Sequence, residues 1–349
     1  MIEFFDDHLQ AVLWAGFALG IAYGAAAQWS RFCLYRGLVN HWQKGDSVKL
    51  HAFMLAMAIA LLTSQALQAF SGIDLTNTHY HQRSPSWPLL IVGGVLFGYG
   101  MHLANACGAR SLVLLGSGNL RSLLVLLVLG ISAYITMSGL LAELRIQLES
   151  MTQSRLPVTS IDGLMAMTGI SPVSAKILTL IIFAGALLFT ALKSADLRNS
   201  YTDLIASVVI GILAATGWWI TGVLGADDFD PVRLASLTFV APIGETLQFA
   251  MLSSGMSLSF AVVVVTGVIL GSFIRAILSG EFSWQSYESP KQMQRSIIGA
   301  VLMGVGGVLS LGCTLGQGVS GFSTLAISSL AALLGILIGA RFALWVDSH

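Results

Sequence analysis

Charge is scarce in this 349-residue chain: seventeen Lys and Arg balance seventeen Asp and Glu, 10% of the residues in all, and leave no net charge. That excludes a basic surface for nucleic acid, so no nucleic-acid partner is expected. With 55% hydrophobic residues and a mean hydropathy of +0.81 it also excludes an ordinary soluble globule. Cysteine is scarce too. Three residues, with no C-x-x-C and few His or acidic residues nearby, exclude a disulfide framework and point away from zinc or iron–sulfur, so no metal or cofactor is expected. The phosphate loop Gly-x-x-x-x-Gly-Lys-Ser/Thr is missing, which argues against an ATP site of the chain's own, and three cysteines on separate motifs with no evident general base argue against an enzyme. The first thirty residues hold no Lys or Arg and begin with Glu3, Asp6 and Asp7, which argues against a cleavable signal peptide and for a retained first helix. Proline is rare at seven, whereas glycine is abundant at thirty-seven, a balance that suits close helix packing and broken membrane helices.

What is present is a series of long apolar runs. Uncharged stretches able to cross about 30 Å of hydrocarbon lie near 11–30, 50–70, 88–106, 122–142, 177–192, 204–224 and 257–274. The segment 296–340 carries no charge and is too long for one crossing, so it reads as two spans joined by a glycine-rich bend. Pro242, Gly244, Glu245 and Gly255 turn 233–254 into a re-entrant hairpin. The fold class is an all-α polytopic membrane protein with about nine transmembrane helices plus re-entrant and short helices. With the N-terminus periplasmic and the C-terminus cytoplasmic, eleven basic residues fall inside against five outside, and Asp227, Asp228 and Asp230 face out. The tryptophans fall mostly near span ends, as interfacial anchors do.

A shift of 206 residues superposes Gly93, Val95, Leu96, Gly98, Gly100, Leu103 and Cys107 on Gly299, Val301, Leu302, Gly304, Gly306, Leu309 and Cys313, seven identities in fifteen positions. A fainter match sets Gly16, Leu19 and Gly20 on Gly267, Leu270 and Gly271. The reading is a pair of pseudo-symmetric inverted repeats, 1–142 and 203–349, joined by 143–202 in a single membrane domain. Both copies of the long match end in a break. Asn105-Ala106-Cys107-Gly108 and Gly312-Cys313-Thr314-Leu315-Gly316-Gln317-Gly318 each read as a helix end, a bend and a new helix start. A helix start offers unpaired N–H groups and partial positive charge, which hold an anion without a permanent cation.

Cys33, Cys107 and Cys313 are therefore candidate path residues, beside the alternative that each is a small buried hydrophobe. Gly108, Asn105 and Gln317 join them as residues of the breaks, where they line the passage or satisfy broken backbone. Arg110 and Arg121 either attract anions at the inner mouth or anchor a helix end. Glu245 either binds a proton and shapes the outer entrance or bonds an exposed helix end. His102 is a relay candidate or a packed imidazole.

The motifs Ser30-Arg31-Phe32-Cys33, Gly93-Gly94-Val95-Leu96-Phe97-Gly98-Tyr99-Gly100-Met101 with Ala106-Cys107-Gly108, and Gly312-Cys313-Thr314 with Gly316-Gln317-Gly318 resemble the YeeE/YedE family. Gly118-Asn119-Leu120-Arg121-Ser122 and 267–282 extend the resemblance over most of the chain. Around the middle cysteine the chain departs from the family, with Ala106 and Ala109 where glycine and serine are frequent. The resemblance implies an inner-membrane importer of thiosulfate, with Cys33, Cys107 and Cys313 along the path and Cys107 the most critical. It also implies a small cytoplasmic TusA-like sulfur-handling partner. Three alternatives stand beside it: a carrier of another sulfur or selenium species, a membrane-embedded sulfurtransferase or thiol-redox component with a persulfide on Cys33 or Cys107, and a pore for small neutral solutes.

Overall fold

The computed structural model describes residues 7–227 and 231–348; Glu3, Asp6, Asp228 and Asp230 lie outside them. Among the described residues there is no β-strand, only isolated bridges. The helices are α1 (Asp7–Trp29), α2 (Leu34–Lys44), α3 (Val48–Ser71), α4 (Trp87–Ala104), α5 (Gly108–Gly116), α6 (Leu120–Met137), α7 (Ala142–Thr152), α8 (Ile161–Ala166), α9 (Pro172–Lys193), α10 (Ala195–Asn199), α11 (Tyr201–Trp219), α12 (Val240–Leu252), α13 (Phe260–Leu278), α14 (Pro290–Leu309) and α15 (Ile327–Asp347). Two π-helical pieces, Ile220–Leu224 and Gly316–Gly321, follow α11 and the Cys313 bend.

Among the described residues, eight helical segments are long and apolar enough to cross a membrane. The ninth expected crossing corresponds to α14, whose first two turns carry Lys291, Gln292, Gln294 and Arg295 and which is not among the eight. The segment 231–239 is irregular and leads into α12, whose thirteen residues rise about 20 Å, short of a crossing. α12 starts at the buried Phe239 and Val240 and ends at the exposed Met251 and Leu252. A half-penetrating loop of this kind needs protein around its unpaired backbone, which the flanking α6 and α13 supply.

The packing is reciprocal. α1 lies on α13 as α11 lies on α3, and α4 lies on α15 as α14 lies on α6. α4 and α14 meet each other antiparallel. A Cβ on Gly93 would come within 2.8 Å of Gly306 O, and one on Gly306 within 2.5 Å of Gly93 O. Likewise a Cβ on Gly100 would sit 2.5 Å from Gly299 O, and one on Gly299 2.6 Å from Gly100 O. Each repeated glycine therefore faces its partner's mate, the signature of two related helices crossing at an internal two-fold axis. The exchange relates α1 to α11, α3 to α13, α4 to α14 and α6 to α15.

The fainter match has a different origin. Gly20 and Gly267 belong to α1 and α13, which the exchange does not relate; a Cβ on either would come within 3.0 Å of the other's Cα. Both positions are glycine because they touch. Trp218 also departs from its expected place at an interface, being wholly buried with Nε1 donating to Ser323 Oγ at 3.2 Å.

Candidate anion path

All three cysteines occupy the same local structure. A helix ends on a non-glycine residue in the left-handed region (Arg31, φ 52°; Asn105, φ 57°; Leu311, φ 59°), one residue follows, and the cysteine opens the next helix. Cys33 caps α2, Cys107 caps α5, and Cys313 caps a helical segment running over 314–323. Each cysteine carbonyl accepts the first bond of its helix, from Gly37, Ser111 and Gln317 respectively. Left-handed backbone at side-chain-bearing residues costs on the order of 1 kcal/mol each, so neighbouring bonds hold these bends. Lys49 donates to Ser30 O at 2.6 Å and pairs with Asp203 across the first bend. At the third, Gln317 Nε2 reaches back to Ser310 O.

The thiols are buried, with 5%, 3% and 0% exposure for Cys33, Cys107 and Cys313. Cys33 and Cys107 lie in electrostatic range of one another. Cys313 Sγ instead accepts from Gly316 N at 3.3 Å and also meets the backbone N–H of Phe239 and the Thr238 hydroxyl. Phe239 caps α12, so four short helices start around one centre, three from cysteine and the fourth from phenylalanine. Tyr23 of α1 packs on Phe239 with ring centroids 5.3 Å apart and planes tilted by 32°, and lies in electrostatic range of all three thiols and of Arg110.

Two cavities flank this centre at opposite ends of α6, about 27 Å apart along its axis. One of 430 Å³ is lined by Cys33, Arg36, Asn105, Arg110, Asn119 and Arg121. The other, of 400 Å³, is lined by Asn77, His79, Arg145, Arg233, Thr238 and Gly312. Both present positive charge to whatever enters. Cys107 and Cys313 line neither, so the expected continuous passage is interrupted by a plug of Tyr23, Phe239 and the two thiols.

The other expected residues separate into two groups. Arg110 is buried, donates to Ala27 O at 3.3 Å, and lines the first cavity beside Cys33; Asn105 opens into the same space. Gly108 begins α5 against Ile243 and Leu129. Gln317 braces its own bend, with Oε1 buried and unbonded. Glu245 accepts from Ser259 Oγ at 2.5 Å, tying α12 to the start of α13, and lines neither cavity. His102 lies between Tyr35 Oη at 3.0 Å and Asp347 at 2.6 Å, a bonded imidazole at the end of α4.

Phe239, Tyr23, Thr238 and His79 carry no motif, and their places follow from tertiary packing alone. His79 opens to the second cavity yet is hemmed in by protein, and that enclosure together with the nearby Arg233 pushes its imidazole down to about 4. A base held below its unfolded value of about 6.5 favours the folded state above pH 6.5, and that contribution is lost as pH falls towards 4. The melting temperature of the purified protein should fall across that window, and His79→Gln should flatten the fall. An unchanged slope in the variant would count against the assignment.

The chain is similar over nearly its whole length to proteins of known family. The family model described as sulphur transport matches residues 29–342. The thiosulfate transporter TsuA of Spirochaeta thermophila is 26% identical over 353 residues, spanning 96% of this chain and 99% of that protein. The thiosulfate transporter TsuA of Escherichia coli is 23% identical over 350 residues, spanning 96% and 95%. A match over nearly the whole length, with the cysteine-capped half-helices inside it, makes this chain a member of the sulphur-transport (YeeE/YedE) family, a multi-pass membrane transporter rather than an enzyme.

Proposed function

We propose that this protein imports thiosulfate across the bacterial inner membrane, with Cys33, Cys107 and Cys313 as successive contacts along the path. The observation that carries the reading is the convergence of four short-helix N-termini, three opened by a thiol, between two basic cavities. The names of the two curated relatives support the substrate.

The physics follows from the ion. A bare charge in low dielectric costs tens of kcal/mol on a Born estimate, so thiosulfate needs a lined path that replaces its water. Backbone N–H groups at the starts of α5 and 314–323 face its sulfonate oxygens. Neutral thiols, weak donors, meet its soft terminal sulfur. Several weak sites allow both entry and exit, whereas one strong site would trap the ion. A thiolate would repel it, so the path requires protonated thiols.

In the proposed orientation, with the N-terminus periplasmic, the Arg145–Arg233 cavity collects the dianion outside and the Arg110–Arg121 cavity receives it inside. The plug residues Tyr23 and Phe239 move aside during transit. A cytoplasmic TusA-like protein takes the sulfur onward at the inner cavity. The reading rests on one assay: purified protein in liposomes should accumulate labelled thiosulfate, with weaker competition from sulfate, which lacks the soft sulfur. Equal competition by sulfate and neutral solutes, or no uptake, overturns it.

A further inference from the structure

The three arginines that line the 430 Å³ cavity are not equivalent. Arg121 is committed: its Nε donates to Ser286 O at 2.5 Å and its guanidinium pairs with Glu288 at 2.8 Å. Arg36 makes no side-chain hydrogen bond or ion pair among the described residues. Arg110 makes a single bond, to Ala27 O at 3.3 Å, which leaves most of the N–H donors of a guanidinium unused. It is nonetheless buried, at 8% exposure. A buried cation without a carboxylate is costly unless something neutralises it, and no Asp or Glu lines this cavity. Two uncommitted positive charges therefore share one space. Cys33 opens α2 at the same wall, and a helix start adds partial positive charge. The outer cavity is built otherwise. There Arg145 is tied to Glu149 at 2.8 Å and to the carbonyls of Thr136 and Met137, which leaves Arg233 as the uncommitted arginine among the described residues that line it.

We infer that Arg36 and Arg110 clamp a divalent oxyanion in the inner cavity and select it by charge and oxygen geometry, not by sulfur, so that sulfate from the cytoplasmic side occupies the site as thiosulfate does. Two arginines match two negative charges, and the planar guanidinium fork takes oxyanion oxygens in pairs. A halide carries half that charge and has no second oxygen to offer the fork. At about 30 Å³ per water, the 430 Å³ space holds a tetrahedral oxyanion with part of its hydration shell. Discrimination by the soft sulfur then belongs to the thiols deeper in the path. An ion resident on the clamp stands in the way of the next one, so cytoplasmic dianions oppose inward flux.

The effect on flux rests on the transport reading; the binding does not. The full-length protein in detergent is titrated by calorimetry with sodium sulfate and, at matched ionic strength, with sodium chloride. Sulfate should bind at least about tenfold more tightly than chloride. Arg36→Gln should weaken sulfate at least about tenfold, and because the Arg36 side chain is exposed and unbonded the variant should melt with its parent. Arg110→Lys keeps the charge but loses the fork, and should also weaken sulfate. Arg198→Gln removes an equal charge from an exposed site outside the cavity and should leave binding unchanged. In liposomes, sulfate loaded inside should slow uptake of labelled thiosulfate, and Arg36→Gln should relieve the block. Equal binding of chloride, no binding of sulfate, an equal loss in Arg198→Gln, or a loss confined to Arg233→Gln would each overturn the clamp. Sulfate binding that responds to Arg36→Gln in a protein that moves no thiosulfate counts against transport alone.

Discussion

Cys107→Ser should abolish thiosulfate uptake, by roughly a hundredfold or more, while leaving the fold intact. A hundredfold is about 2.7 kcal/mol of lost stabilisation at the barrier. The usual objection to such a variant is misfolding, and here the local chemistry answers it. Cys107 is the N-cap of α5, in extended backbone with φ −86° and ψ 169° and no side-chain cap bond of its own. Serine is among the best N-cap residues, so it offers the first turn of α5 an oxygen acceptor where sulfur makes none. The variant should melt at or slightly above the temperature of the parent. What serine removes is a large, polarisable atom matched to the terminal sulfur of the ion. Cys313→Ser should keep more activity. Its sulfur already accepts from Gly316 N, a role that oxygen fills well. Parallel uptake and thermal-melting measurements decide the matter: a Cys107→Ser protein that transports normally excludes a sulfur-specific path, and one that fails to fold refutes the capping argument.

Apolar length and glycine spacing made most of the long helices legible, because both are local properties of the chain. The breaks at Asn105–Gly108 and Gly312–Gly318 were legible for the same reason: the 206-residue shift places a cysteine at the end of each copy. Convergence was not legible. Phe239 opens α12 with no cap signal before it, and only the burial of Phe239 against Tyr23 brings that start to the cysteines. Gln317 showed as a polar residue in a break, yet its amide is committed to Ser310 O of its own bend, a bond that spacing alone could not assign. Glu245 likewise showed as a charge in the re-entrant hairpin, and its partner Ser259 is fourteen residues away at the start of another helix. The interrupted path is a tertiary fact as well. It depends on which rings fill the centre, whereas the sequence pattern places only backbone breaks.

Reciprocity and interruption belong together. The two cavities open at the ends of α4 and α14: Asn105 lines one, Leu311 and Gly312 the other. The glycine contacts between α4 and α14 hold these ends in place, since a side chain there would part the two helices.

Gly98→Ala should be among the most destabilising small substitutions in the chain's helices. Its Cβ would fall 2.1 Å from Ile336 O and 2.7 Å from Ala340 N, and both obstacles are backbone, which no rotamer change can relieve. The only escape is to part α4 from α15. Gly339 makes the opposite approach on the same interface, with a Cβ 2.1 Å from Val95 O, so the separation would spread along the helix pair. Between membrane helices no hydrophobic effect draws them back, because lipid tails are as apolar as the side chains they replace; close packing is what is lost. Overpacking of a well-filled site costs about 1–3 kcal/mol, and the upper end or more applies where backbone is the wall. Gly185 in α9 supplies the contrast. Nothing lies within 4 Å of its would-be Cβ, so Gly185→Ala should stabilise by up to about 1 kcal/mol through helix propensity alone. Thermal unfolding of the two variants in the same detergent should therefore move in opposite directions. Because α4 runs directly into Asn105 and Cys107, Gly98→Ala should also displace the α5 start and lower uptake. A Gly98→Ala protein as stable and as active as its parent would mean that α4 and α15 do not touch where this packing puts them, and the placement of Cys107 would fall with it.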